Sequence, residues 1–63
     1  MTKTEKAVAR YIKTLNDRER ILHSGDEKYA RACDRAAAAL YALGDLDPEL
    51  RTATYLAWKA AHV

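Results

Sequence analysis

The chain has 63 residues, 49% of them apolar, with eleven Lys and Arg against nine Asp and Glu and a formal net charge of +2. That length holds one helical domain, residues 1–63, and a chain so short buries only about 60% of its unfolded surface, too little to wall in a substrate cavity and still keep a core. Nearly balanced charge excludes a histone-like basic tail or an acidic solvating segment, and thirteen alanines with two glycines, one proline and no phenylalanine exclude an all-β fold.

The first helix is expected over 3–24. Thr2-Lys3-Thr4-Glu5 reads as a capping box, in which the Thr hydroxyl and the Glu carboxylate three residues on satisfy each other's free backbone donors. Val8, Tyr11, Ile12, Leu15 and Leu22 then recur at helical spacing as one apolar stripe, and Gly25 should stop the helix. Ser24-Gly25-Asp26-Glu27 is a break followed by a new start, with Gly25 able to turn left-handed and Ser24 or Asp26 able to cap.

The second helix is expected over 27–43, with Tyr29, Cys33, Ala36, Leu40 and Leu43 on one line and Ala30, Ala37 and Tyr41 beside it. So broad an apolar arc suits a central helix that touches two others. Gly44 should end it. Asp47-Pro48-Glu49 then supplies an N-cap, a proline at the first helical position and an acid in the first turn, which starts a third helix over 48–62.

These elements give an all-α, compact three-helix bundle. Its expected core is Val8, Ile12, Leu15, Leu22, Tyr29, Cys33, Ala36, Leu40, Leu43, Leu50, Ala53 and Ala57. A core so rich in alanine is light, which favours drawing Trp58 into it or completing it with a second copy of the chain as a dimer. The single Cys33 forms no internal disulfide and suits a reducing, cytoplasmic compartment. The longest uncharged run, Ala36 to Gly44, is nine residues, where a membrane span needs about 20, and the first six residues carry no apolar leader.

Three groups of residues stand out. Glu19 falls seven residues after Ile12 within the apolar stripe, where a carboxylate needs a partner such as Tyr29 or an arginine at the bundle end, unless it belongs to a docking surface. Lys3, Lys6, Arg10, Lys13 and Arg20 project into one sector of the first helix opposite Val8, interrupted by Asp17, as a solvated face or a contact for nucleic acid or another anionic surface. On the third helix Arg51, Tyr55, Trp58, Lys59 and His62 gather away from Leu50, Ala53 and Ala57, with Trp58 at the margin of that sector and Tyr55 expected to be exposed. Arg, Tyr and Trp dominate many binding surfaces because each joins large area to a directed polar group, so this outer face is the expected protein-docking site.

Chemistry-bearing constellations are thin. His23, Cys33 and His62 lie far apart in sequence, with no Cys-x-x-Cys, no His pair at helical spacing and no glycine-rich phosphate loop. Neither metal, cofactor nor catalysis is expected. Cys33 reads as a small apolar side chain, His23 as a favourable charge at its helix end, and His62 as solvated. The segment 35–58 fits a helix-turn-helix generically, with Ala39, Leu43, Gly44, Leu50 and Ala53 at small or apolar positions and Arg51, Thr52 and Tyr55 as readers. Asp45, Asp47 and Glu49, however, crowd negative charge at the end that should approach phosphates. The sequence thus points to a small intracellular regulator, adaptor or inhibitor that docks on another protein, with a DNA-binding regulator or a subunit of a larger assembly as the alternatives.

Overall fold

In the computed structural model, which describes residues 2–22 and 25–62, three helices pack in chain order: α1 (Lys3–Arg20), α2 (Asp26–Leu46) and α3 (Pro48–Ala61). The three-helix bundle expected from the sequence is the fold. Two starts follow the sequence signals. Thr2 Oγ1 accepts from the Glu5 N–H at 3.1 Å while the Thr2 N–H donates to Glu5 Oε1 at 3.3 Å, and Asp47 Oδ1 accepts from the Leu50 N–H at 3.1 Å with Pro48 behind it.

The stops differ. α1 ends at Arg20, where Ile21 and Leu22 turn their N–H groups back to the Asp17 and Glu19 carbonyls, so Gly25 does not terminate it. Gly25 instead stands at the N-cap of α2 with φ 124°, the only positive φ among the described residues, and Asp26 is already helical. The capping expected of Ser24 and the helix-end role of His23 lie outside the described residues. Gly44 does not end α2 either. The helix runs through it to Leu46, and Asp47 serves both as the C-cap of α2 and the N-cap of α3. A Cβ at position 44 would sit 2.9 Å from Arg51 Nη1 and 3.2 Å from Arg51 Cδ, so any larger residue requires the Arg51 side chain to shift.

The core is narrower than expected and rolled. Tyr11, Leu15, Ala32, Ala36, Ala39 and Leu43 are buried, with Thr54 from α3. On α2 the buried line is 32, 36, 39 and 43, turned by about 50° from the 29–33–36–40–43 line at 100° per residue. The alanine side of α2 therefore lies against α1, where small side chains admit close approach, while Tyr29, Cys33 and Leu40 are half-buried and Ala30, Ala37 and Tyr41 face water. α1 and α2 share the largest interface, and α3 leans more on α2 than on α1. Leu22, expected in the core, is exposed because α1 has already ended.

The third helix shows the largest correction. Ala53 and Ala57, expected in the core, are exposed, and Tyr55, expected to be exposed, packs on the Tyr11–Leu15–Ala39–Leu43 cluster together with Leu50 and Trp58, both expected inside. Relative to expectation α3 is turned by about one residue step, ~100°. Burying indole and phenol removes far more apolar area from water than burying two methyl groups, so the aromatic side wins the interior.

Candidate functional site

The α3 residues expected to form an outer face are divided by that rotation. Arg51, Tyr55 and Trp58 are half-buried, and Lys59 and His62 are exposed. Trp58 Nε1 donates to Asn16 Oδ1 at 2.7 Å, tying α3 to α1, and the His62 ring stacks on the indole with centroids 4.3 Å apart. Lys59 Nζ lies 6.0 Å from the Tyr55 ring centroid. Burial pushes the Tyr11 phenol above its ordinary pKa, opposed by Arg18 and Arg51 and reinforced by Tyr55, which places both α3 side chains around an interior group. One directed polar group on this face, the indole N–H, ties α3 to another helix.

Glu19 is exposed, which removes the need for a buried partner. It borders a cavity of about 190 Å³ at the bundle end with Arg18, Leu22, Tyr29 and Trp58. Hydrogen bonding to Cys33 one turn on raises the Tyr29 phenol. Among the described residues no three His, Cys, Asp or Glu side chains gather as a metal site requires, and no helix is long and apolar enough to cross a membrane.

The surface that the fold does assemble lies between α1 and α2, on the side α3 leaves uncovered. Lys3, Lys6, Arg10, Lys13 and Asp17 follow one another at intervals of three and four, which stacks them along one face of α1. Opposite them α2 presents Ala38, Ala39 and Ala42, whose side chains stop at Cβ. The long α1 side chains therefore overhang an open groove rather than meeting a wall.

That groove begins as a space of about 450 Å³ bounded by Lys3, Lys6 and Arg10 on one side and Ala42, Asp45 and Leu46 on the other. It continues past Arg10, Thr14, Arg35 and Ala38 through about 310 Å³. A further space of about 420 Å³ reaches Lys13 and Asp17. Arg10, Ala39 and Ala42 border the first two spaces and Arg10, Thr14 and Arg35 the last two, so the three form one channel. From position 3 to position 17 its length is ~21 Å at 1.5 Å per residue.

Cations outnumber the two carboxylates, Asp45 and Asp17, along its edges. Among the described residues the ion pairs are Arg20–Asp17 at 3.2 Å and Arg31–Glu27 at 2.8 Å, and neither engages Lys3, Lys6, Arg10, Lys13 or Arg35. All five are exposed. The basic row read from the sequence thus splits: four of its members line the groove, whereas Arg20 pairs beside its far end. Arg35 and the alanine floor were not anticipated. Their signal was an α2 apolar arc wider than two neighbouring helices can cover.

No family model, no curated protein and no solved structure matches this chain.

Proposed function

We propose that the chain is a non-enzymatic binding module, a regulator, adaptor or inhibitor that acts by docking stoichiometrically on another protein, and that the α1–α2 groove is its contact surface. The observation that carries this reading is the groove itself: a channel open along its length, floored by Ala38, Ala39 and Ala42 in its first two spaces, with five cations on its edges that form no ion pair among the described residues. Its breadth and openness suit a macromolecular contact rather than an enclosed small substrate. A chain with one cysteine, and hence no internal disulfide, fits work in a reducing cytoplasm. The helix-turn-helix alternative is less well supported, since two of its three readers, Arg51 and Tyr55, are half-buried, leaving Thr52 exposed.

Affinity capture with the tagged chain from its native cell lysate, followed by gel filtration of the eluate, tests this. A partner should co-elute at a fixed molar ratio, and Ala42→Arg, which fills the exposed floor with a good helix former, should abolish its recovery without lowering the melting temperature. Undiminished capture by that variant would move the contact off the groove. Failure to recover any partner at fixed ratio would remove docking.

A further inference from the structure

The groove also specifies what fits it. We propose that it receives one amphipathic α-helix of the partner protein, with apolar side chains on the alanine floor and Asp or Glu residues against the cationic rim. This rests on the docking reading above.

Three features lead there. The first is length and shape: a channel of ~21 Å accommodates about four helical turns, and a floor of methyl groups leaves room for the side chains of a second helix to descend between two existing ones. The second is charge. Lys6, Arg10 and Lys13 stand on one edge and Arg35 on the other, with Asp45 and Asp17 at the two ends, so carboxylates flanking the middle of an inserted helix would meet cations on both sides. The third is surface area. The chain exposes 4717 Å², against about 4,100 Å² for an average compact monomer of this mass. The difference, roughly 600 Å², belongs to the whole molecule, in which the open channel between α1 and α2 is one source beside the elongated 34 × 23 × 18 Å shape.

The same features disfavour nucleic acid. Among the described residues no aromatic side chain lines the groove to stack a base, and its methyl floor takes up apolar side chains, which a nucleic acid backbone does not supply.

The test uses the full chain and three designed peptides of about 16 residues, enough to span the groove. One carries leucines at i, i+3, i+4 and i+7 with glutamates on both flanks. The second replaces each glutamate by lysine, and the third shuffles the first so that composition is kept and the apolar face is lost. Fluorescence anisotropy reads binding, and amide chemical shifts locate it.

The acidic peptide should bind one to one, shifting amides in 6–14 and 35–46, with affinity falling about tenfold as NaCl rises from roughly 50 to 300 mM. The double variant Lys6→Glu/Arg10→Glu, with a melting temperature no lower than that of the wild type, should weaken it by about tenfold or more. Equal binding of the lysine or shuffled peptide, or shifts confined to α3, overturns the proposal. So does displacement of the peptide by a DNA duplex, or self-association of the chain that protects Ala38 and Ala42, since each assigns the groove another occupant. If no peptide binds while Ala42→Arg still abolishes capture of the lysate partner, docking stands and the acidic helix is refuted. If both fail, the docking reading falls with it.

Discussion

Tyr11 is 3% exposed and its phenol is held in the neutral form by burial, against the pull of Arg18 and Arg51. In the unfolded chain the same group gives up its proton near pH 10. A pKa raised by folding means that the unfolded state ionises first, so stability is flat below about pH 10 and is lost as pH rises through the folded value. Urea midpoints measured from pH 8 upward should be level and then fall, and Tyr11→Phe should flatten much of that fall. A residual slope is expected from Tyr29, raised in the same direction by Cys33.

The two glycines make a second residue-scale contrast. At Gly25 nothing lies within 4 Å of an added Cβ, yet φ is 124°, so Gly25→Ala should cost about 1–3 kcal/mol through backbone strain alone. At Gly44 the backbone is helical and the obstacle is the Arg51 side chain. Gly44→Ala should therefore stabilise an Arg51→Ala background by about 0.5–1 kcal/mol, the helix-propensity gain, and the wild type by less. Equal gains in both backgrounds would show that the guanidinium does not constrain the site.

Among elements, α3 separates what sequence order encodes from what only packing decides. Its start was legible because Asp47 and Pro48 act within one turn, through a hydrogen bond to Leu50 and a preset φ. The order of side chains around it was legible too, since 100° per residue fixes it, but not where the line between inside and outside falls: Leu50 parts from Ala53 and Ala57, and Lys59 and His62 from Tyr55 and Trp58. The light core pointed to an inward Trp58, but not to the inward turn of Tyr55 or the exposure of Ala53 and Ala57. Leu50, Ala53 and Ala57 form an uncharged side, whereas Arg51, Tyr55 and Trp58 combine polar groups with large apolar bodies. The choice depends on whether those polar groups find partners, and Asn16, which accepts the indole N–H, lies 42 residues away in sequence. The same limit explains α2, whose alanines were correctly read as permitting close approach but whose roll toward α1 is set by the neighbour.

Substitution can check the facing directly. Ala53→Glu and Ala57→Glu should each change stability by no more than about 0.5 kcal/mol, as solvent-facing helix positions do. Trp58→Ala should cost about 2–4 kcal/mol, the lower part of the usual aromatic range because the indole is only half-buried. Thermal or urea unfolding that ranked Ala57→Glu as the more damaging change would reverse the assignment of the two faces.

At the scale of the whole molecule, a light core and an open groove act together. Leu15 and Leu43 are the large side chains that are fully enclosed, so little apolar burial is available to offset any unfavourable term. One such term lies along the groove, where Lys3–Lys6, Lys6–Arg10 and Arg10–Lys13 are like-charge neighbours at three and four residues, each worth roughly 0.2–0.5 kcal/mol of destabilisation. Raising NaCl from about 10 mM to about 0.1 M shortens the screening length from about 30 Å to about 10 Å. The melting temperature should therefore rise, by about 2–5 °C for a domain of this size if those neighbours dominate. A fold resting on surface ion pairs would shift the other way. Arg10→Glu converts two of the repulsive neighbours into attractive ones and should flatten or invert the salt dependence, while a variant at the distant Lys28 leaves it in place. Scanning calorimetry across that salt range decides the matter, and a wild-type melting temperature insensitive to salt would remove the electrostatic strain from the account of this groove. An acidic helix seated there would do what salt does, locally and with higher affinity, so by linkage a partner that relieves the repulsion also stabilises the bundle that presents it.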